Sequence, residues 1–388
     1  MAFRECAAKS SAFAKLAYAY THREEAAKAA KAAGKRVIAT LGCDVPEELL
    51  CAAGMMPYPI YALPGGNMEM ADKYLEYAFD PLVRAQFQRI VDGSLNDFCD
   101  AVVVSNSTDV LVRTYLYLRE MKRVETDVAF PPVYFIDWLF TRKRMHQERN
   151  CLVVSLFKEE LEELAGRRIA EEDIRKAAVL CNRTRSLLRQ VDSFRTAQKV
   201  QLTGAEMLVV CGSGFYMDRE EYNKVLEELL AELPSWPQVH GRRIFYTGSV
   251  QTDTALYEEV EETGGIVVGE DTDWGDRYFD RDYNLEMPST RALVDRYMLR
   301  EFSSKKAFVS QRVDALNREV DKAKADSVLF YFHIYEEAAS WDYPSQRESL
   351  EGRGIATAHF AKMHWPKTEE EQQAFSSDLR KLIAGEGA

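Results

Sequence analysis

The feature that most constrains this fold is a repeat of apolar, β-branched runs, each ending in polar residues that lead into a helix-forming segment. The first run occupies residues 36–40, and the helix that follows is predicted to begin at an Asp44 N-cap and to end at Gly54. A second run, at 101–104, is continuously apolar, as in a strand buried on both faces. Strand, turn and helix repeated in this order form a parallel sheet with helical crossovers. The sequence therefore predicts an α/β protein.

The same pattern returns near residue 240, after a charged, helix-forming stretch that contains no strand-like run. A chain of 388 residues is long enough for two or three domains. We predict two Rossmann-like parallel-sheet domains joined by a helical connector. Residues 1–153 are predicted to hold an N-terminal helix and the first α/β domain, 154–240 the connector, and 241–388 the second α/β domain.

Charge and cysteine usage exclude several classes of partner. The chain has 50 Lys and Arg against 62 Asp and Glu, a net charge of −12, so neither nucleic acid nor a membrane is an expected partner. Its seven cysteines include no CxxC pair, which argues against a disulfide framework or a zinc ribbon. Residues 1–35 are typical of an amphipathic helix and not of a signal peptide. We expect a cytoplasmic protein.

Candidate chemistry lies in the polar residues that follow the strands, because ligands of parallel sheets bind at the carboxyl ends of the strands. His333 ends a strongly apolar run and is a candidate acid, base or metal ligand, although a hydrogen-bonded structural histidine fits the same position. Asp80 precedes Pro81, and Thr108 and Asp109 precede a helix, so all three also fit the role of helix caps.

Several separated segments share motifs with one known family. They are Val-Pro-Glu-Glu-Leu-Leu-Cys-Ala-Ala-Gly-Met-Met-Pro at 45–57, Asn-Arg-Thr-Arg-Ser-Leu-Leu at 182–188, Gly-Ser at 248–249, and Trp-Asp-Tyr-Pro at 341–344. Together they resemble the family that contains the 2-hydroxyacyl-CoA dehydratases and the ATP-dependent benzoyl-CoA reductases. The type of subunit resembled is the dehydratase D-component, and the resemblance covers most of the chain.

The resemblance implies a lyase or reductase of anaerobic metabolism, built from two subunits that bind acyl-CoA between α/β domains. In that family, an ATP-dependent activator iron–sulfur protein supplies one electron to a [4Fe–4S] cluster, which three cysteines of a subunit hold. The implied reactions are radical elimination of water from a 2-hydroxyacyl-CoA and reduction of an aromatic acyl-CoA. The cluster and the activator perform the redox chemistry.

This sequence departs from the family at the three cysteine positions. The resemblance aligns them with Asp80, before Pro-Leu-Val-Arg, with Thr108, before Asp109, and with His333, after Tyr-Phe. Because [4Fe–4S] clusters are bound by thiolates, we expect no cluster in this chain. A homologous cysteine-bearing subunit is then the expected partner and the expected holder of the cluster.

Three hypotheses follow for the function. The first is a cluster-free subunit of an acyl-CoA dehydratase or reductase heterodimer, which contributes the acyl-CoA pocket and the subunit interface. The second is a divalent-metal or acid–base site formed by Asp80, Asp109 and His333. The third is a non-catalytic acyl-CoA-binding or scaffold protein. A cluster with Asp and His ligands is a further, less favoured alternative.

Under the first hypothesis, Asp80, Thr108, Asp109 and His333 are the predicted catalytic residues. Asp109 and His333 are assigned to proton transfer beside the acyl group, and Thr108 to positioning the thioester oxygen. The predicted acyl-CoA-binding residues are Arg84, Arg277, Glu48 and Ser249. For the two arginines, structural ion pairing is the alternative role.

Overall fold

The computed structural model describes residues 3–62, 64–300 and 306–385. Within these ranges the strands form two four-stranded, all-parallel sheets flanked by helices. The predicted α/β architecture with two Rossmann-like sheets is confirmed. In the same ranges, no helix combines the length and the apolar character that crossing a membrane requires.

The first sheet has the order β2-β1-β3-β4 and lies in the N-terminal part of the chain. All residues of its two central strands, β1 and β3, are buried, as the continuous apolar run at 101–104 predicts. Its strands are β1 (Val37–Leu41), β2 (Met56–Pro59), β3 (Ala101–Ser105) and β4 (Val133–Ile136). The helices of this part are α1 (Glu5–Lys9), α2 (Ser11–Thr21), α3 (Glu25–Ala32), α4 (Glu47–Ala52), α5 (Glu69–Tyr74), α6 (Pro81–Val91) and α7 (Asp109–Val124).

Four helices follow and connect the two sheets. They are α8 (Arg144–Ala165), α9 (Glu171–Thr196), α10 (Gly204–Ser213) and α11 (Arg219–Glu232). Helix α9 packs against α4 of the first part and also contacts strand 265–270 of the second sheet, while α2 packs against α10 and α11. The boundary predicted at 153/154 falls inside α8, whereas residue 240 lies just before the next strand. The division into three domains stays a prediction.

The second sheet has the order β6-β5-β7-β8. Its strands are β5 (Arg242–Gly248), β6 (Gly265–Glu270), β7 (Ser327–His333) and β8 (Ala356–Met363). The accompanying helices are α12 (Ala255–Glu262), α13 (Ser289–Met298), α14 (Val309–Ala323), α15 (Glu337–Ser340), α16 (Tyr343–Glu351) and α17 (Glu369–Ala384). One of them, α13, packs against α8 and shares a buried apolar cluster with the first sheet. Between β6 and β7 the chain therefore packs once more against the N-terminal part of the protein, through α13.

The turn after β1 differs in part from its prediction. Gly54 adopts the left-handed conformation predicted for the end of α4, with φ +76°. The prediction that Asp44 caps this helix is wrong, because α4 begins at Glu47 after Pro46 and has no side-chain cap. Asp44 is fully buried, and its carboxylate instead accepts a hydrogen bond from the ammonium group of Lys306. An N-cap directly precedes the first helical residue, and that position is occupied by Pro46 and not by Asp44.

Candidate functional site

A cavity of about 1030 Å³ lies between the two sheets, at the carboxyl ends of their strands. Gly42 and Ser107 line it from the first sheet, and Gly248, Asp271 and His333 line it from the second. This volume is at the upper end of the range of about 300–1,000 Å³ that is usual for ligand pockets. The carboxyl ends of parallel strands are also where such folds bind their ligands. The cavity is therefore the candidate functional site.

Five of the predicted site residues line this cavity: Asp80, Thr108, Asp109, Arg277 and His333. Asp80 caps α6, since its Oδ1 accepts a 3.0 Å hydrogen bond from the Val83 amide. Thr108 caps α7 in the same way, with its Oγ1 3.4 Å from the Leu111 amide nitrogen. Asp80 and Thr108 thus both cap a helix and line the cavity. The helix-cap role and a place at the candidate site, which the sequence analysis treated as alternatives, are compatible.

Three predicted binding residues are not among those that line the cavity. The Arg84 guanidinium donates to the Glu76 carbonyl oxygen over 2.7 Å and pairs with the Asp72 carboxylate. Glu48 is fully buried and accepts hydrogen bonds from Arg185 and from the Tyr297 hydroxyl. These partners hold both side chains away from the cavity.

Ser249, the third of them, is buried behind the cavity wall. Its Oγ accepts a 2.7 Å hydrogen bond from the His333 amide and donates one to the Glu336 carboxylate. The hydroxyl therefore connects the end of β5 to the end of β7 and to a carboxylate that does line the cavity. Ser249 therefore contacts the lining residues His333 and Glu336 without lining the cavity itself.

Glu47, next to the predicted Glu48, is the carboxylate at the α4 end of the cavity. It accepts hydrogen bonds from Arg185 Nη2 at 3.1 Å, Arg219 Nη2 at 2.8 Å and the Tyr278 hydroxyl at 2.9 Å. Burial opposes ionisation of this carboxyl, but the positive charges of Arg219 and Arg185 outweigh it and hold its pKa below the ordinary value. Glu47 is therefore a fixed negative charge.

Three other carboxyl groups of the cavity lining, those of Asp80, Glu336 and Asp271, have raised pKa values. Burial raises the pKa of Asp80 to about 6. Burial, together with the nearby charge of Asp80, raises the pKa of Glu336 to about 7. Burial also raises the pKa of Asp271. Carboxyl groups that titrate near neutral pH are suited to proton transfer, whereas Glu47 is not.

Among the buried polar atoms of the lining residues for which the described part of the chain offers no hydrogen-bond partner are His333 Nε2 and Asp271 Oδ1. Their side chains are 2% and 7% exposed, respectively. Burial lowers the pKa of His333 to about 4, so its imidazole is neutral at pH 7. A buried polar atom without a partner is costly unless a ligand or water completes its hydrogen bond. Both atoms therefore indicate where a polar ligand group binds.

Cationic groups complete the lining. Arg277 lies 3.6 Å from the Asp273 carboxylate, and Arg300 Nη1 lies 3.4 Å from the Cys43 carbonyl oxygen. Sequence reasoning assigned no site role to four residues of the lining: Glu336, Asp271, Arg219 and Arg300. Glu336 and Asp271 lie in the polar segments after β7 and β6, which the strand-end rule marks without selecting either carboxylate. Arg219 and Arg300 follow no strand, so no local signal marks them.

Comparison with known proteins identifies the family. Residues 43–374 match the model of the family described as 2-hydroxyglutaryl-CoA dehydratase, D-component. The chain belongs to this family. The match begins after β1 and ends within α17, so it includes all the cavity-lining residues except Thr40 and Gly42. The resemblance inferred from the motifs is confirmed.

Individual relatives agree with this D-component assignment. The (R)-phenyllactyl-CoA dehydratase beta subunit of Clostridium sporogenes is 23% identical over 334 residues, 83% of this chain and 85% of that protein. The (R)-2-hydroxyglutaryl-CoA dehydratase subunit beta of Acidaminococcus fermentans is 20% identical over 336 residues, 84% and 86% of the two chains. A benzoyl-CoA reductase subunit of Thauera aromatica is 24% identical over 248 residues, 61% of each chain.

The donor atoms at this D-component site do not fit a cluster held by three thiolates. The three positions that the resemblance assigns to cysteines carry the carboxyl group of Asp80, the hydroxyl of Thr108 and the imidazole of His333. Of the seven cysteines, all in the described ranges, Cys43 alone lines the cavity. Burial raises its pKa to about 12, so it is a neutral thiol there.

The alternative metal site at Asp80, Asp109 and His333 is also not assembled in this D-component chain. Among the described residues, the one group of three potential ligand atoms within 4.8 Å of one another belongs to Glu47, Glu48 and Cys181. Arg185 already pairs with both of these carboxylates. The geometry therefore favours acid–base chemistry or ligand binding in the cavity over metal coordination.

Proposed function

We propose that this chain is the cluster-free subunit of a 2-hydroxyacyl-CoA dehydratase, or of the related benzoyl-CoA reductase. The observation that carries the proposal is a large cavity at the carboxyl ends of both sheets, whose family cysteine positions hold Asp80, Thr108 and His333. A homologous, cysteine-bearing subunit holds the [4Fe–4S] cluster, and an ATP-dependent activator protein reduces it. This chain contributes the acyl-CoA pocket and one side of the subunit interface.

The cavity residues divide between binding and proton chemistry. Arg277 binds a phosphate of CoA or a carboxylate of the acyl group, because a guanidinium forms paired, charge-assisted hydrogen bonds with either. Thr108 positions the thioester, and Asp80 and Asp109 serve proton transfer. His333, which the sequence analysis assigned to proton transfer, is neutral and is assigned instead to positioning the thioester. The polar atoms of Asp271 and His333 that lack partners among the described residues support a polar ligand at this end of the cavity.

Iron analysis tests the cluster-free role. The chain purified alone, without oxygen, is expected to contain less than about one tenth of the iron and acid-labile sulfide of a [4Fe–4S] centre. Co-expressed with its cysteine-bearing homologue, it is expected to co-purify with that subunit and to support turnover once activator, ATP and reductant are added. About four iron per isolated chain would contradict the proposal. Stable co-purification and acyl-CoA binding without turnover would instead support the scaffold role.

Replacement of Arg277 by methionine tests the acyl-CoA pocket. Loss of a charge-assisted contact is expected to weaken acyl-CoA binding about tenfold or more, measured by titration calorimetry on the isolated chain. The matched control is Arg84→Met, which removes an arginine that pairs with Asp72 outside the lining. Its affinity is expected to stay within about twofold of the wild type. Equal weakening by both substitutions would argue against a phosphate or carboxylate site at Arg277.

A further inference from the structure

The chain after β7 folds back so that a carboxylate faces the cavity. Tyr335 has φ +66°, and the Glu336 amide donates a 3.2 Å hydrogen bond to the His333 carbonyl oxygen, which closes a tight turn. Ser249 Oγ then donates to the Glu336 carboxylate while it accepts from the His333 amide. The hydroxyl thus fixes the carboxylate relative to the end of β7. A side chain held in this way by packing and hydrogen bonds is pre-organised for chemistry.

The charged groups that face Glu336 come from two other segments. Asp80, at the start of α6, raises the pKa of Glu336 further after burial has raised it. After β6, Arg277 lowers the pKa of Glu336, and Asp273 raises it. Burial and the negative charge of Asp80 thus both oppose ionisation of Glu336 and bring its pKa to about 7. Glu336 therefore accepts a proton when it is ionised and donates one when it is protonated, both near neutral pH.

The imidazole of His333 supplies an independent observation at the same place. Its Nε2 is buried and has no hydrogen-bond partner in the described ranges, and His333 is one of the residues that line the cavity. A neutral imidazole with its proton on Nε2 donates a hydrogen bond to a carbonyl oxygen and stabilises negative charge that develops there. The site thus combines a base, an acid and an electrophile, which is the set needed to remove a proton next to a carbonyl group.

We propose that Glu336, held in the cavity wall by Ser249, removes and returns a proton on the carbon next to the carbonyl of an acyl thioester bound in the cavity. This inference rests on the proposed function, from which the acyl thioester is taken. The Glu336 carboxylate accepts the proton as the C–H bond breaks, and the bond's electron pair forms an enolate. The enolate oxygen accepts a hydrogen bond from His333 Nε2–H. Return of a proton from Glu336 restores the thioester, so no oxidant or reductant is consumed.

Deuterium exchange tests this activity without a partner subunit. The full chain is incubated with butyryl-CoA in D₂O, and incorporation of deuterium at C2 is followed by mass spectrometry. Glu336→Gln keeps a similar shape and is expected to lower the exchange rate by about 10²–10⁴-fold, as for loss of a general base. The matched control is Asp72→Asn, a carboxylate-to-amide change that does not touch the lining. It is expected to exchange at the wild-type rate.

The pH profile separates proton transfer from a structural role. The base must be ionised, so the exchange rate is expected to rise with pH through the raised pKa of Glu336, about 7, and then to level off. Asp80→Asn keeps a side chain able to cap α6 but removes the neighbouring negative charge. The pKa of Glu336 then falls, and the rise in rate moves to lower pH. A pH profile of Asp80→Asn that matches the wild-type profile would overturn the assignment of Glu336 as the base that responds to Asp80.

Titration calorimetry with butyryl-CoA on each protein separates this inference from the proposed function. Absence of binding by the wild type would overturn both. Binding by the wild type without deuterium incorporation above the rate in buffer would overturn this inference alone. Exchange by Glu336→Gln at the wild-type rate would also overturn it. Wild-type exchange that is lost in Glu336→Gln, while the affinity stays within about threefold, is the expected result.

Discussion

Replacement of Arg185 by methionine is expected to destabilise the protein by about 3–5 kcal/mol, measured by urea denaturation. The Arg185 side chain is completely buried on α9, and its guanidinium pairs with both Glu47 and Glu48 at the start of α4. Methionine fills a similar volume but leaves the Glu48 carboxylate in the protein interior without a cation. Uncompensated burial of a charge is among the largest costs that a single substitution imposes.

The matched control for this prediction is Arg183→Met on the same helix. Arg183 pairs with Glu227 at the surface, where the two side chains are 51% and 50% exposed. Loss of an exposed pair is expected to cost less than about 1 kcal/mol. A second test combines Arg185→Met with Glu48→Gln, which removes both charges and is expected to recover part of the lost stability. Equal effects of the two arginine substitutions would contradict the assignment of Arg185 as a buried ion-pair centre.

The ion pairs of Glu47 also predict how the stability difference between the wild type and Arg185→Met varies with pH. The cations hold the pKa of Glu47 below its ordinary value of 4.5, so ionisation of Glu47 contributes stability above that pH. The contribution is lost as the pH falls through the lowered pKa of the folded state. In Arg185→Met, acid instead neutralises carboxyl groups that have lost a partner. The stability difference between wild type and variant is therefore expected to narrow below about pH 4.5.

The sequence led to the residues of the candidate cavity because many of them follow strands. In each parallel sheet all carboxyl ends lie at one edge, so Thr108 after β3 and His333 at the end of β7 each lie at the ligand-binding edge of their own sheet. That the two edges face one cavity is a property of the packing of the two sheets, which local pattern does not encode. The direction of a side chain on a helix was harder to predict. Glu47 and Glu48 differ by about 100° of rotation around α4, which turns Glu47 to the cavity and Glu48 into the core.

Charge partners could not be predicted for a different reason. The partners of Glu47, Arg185 and Arg219, are 138 and 172 residues away along the chain, and their own sequence surroundings are ordinary amphipathic helices. For the same reason Asp44 was assigned to a local helix cap, although its partner Lys306 comes from a distant segment. Arg84 was assigned to the pocket from its position after Asp80, whereas the nearby Asp72 carboxylate holds it elsewhere. Local pattern does not encode these contacts.

Replacement of Gly248 by alanine is expected to destabilise the protein by about 4 kcal/mol, measured by urea denaturation. Gly248 ends β5 opposite Tyr331 of β7 and has φ +133°, a conformation that side chains rarely adopt. A Cβ atom there would overlap the Tyr331 carbonyl oxygen and lie 2.8 Å from its carbonyl carbon. Because these are backbone atoms of a paired strand, the overlap is relieved only if the two strands separate.

The matched control is Gly354→Ala, which isolates the conformational part of this cost. Gly354 also has a positive φ, +76°, but a Cβ atom there has no atom within 4 Å. Its substitution is expected to cost about 1–2 kcal/mol, the penalty for a left-handed residue alone. Equal destabilisation by the two alanines would show that backbone overlap at Gly248 contributes nothing, and that β5 and β7 tolerate a wider spacing there.

The position of Gly248 ties this packing to the chemistry of the site. The adjacent Ser249 amide donates a 2.9 Å hydrogen bond to the Tyr331 carbonyl oxygen, the atom that an added Cβ would displace. Ser249 in turn orients Glu336, so separation of the strands moves the carboxylate from its place in the cavity lining. At a temperature where Gly248→Ala is still folded, its deuterium exchange is therefore expected to fall, while Gly354→Ala keeps the wild-type rate. Close approach of β5 and β7, which only glycine permits, is on this argument a requirement of proton transfer as well as of folding.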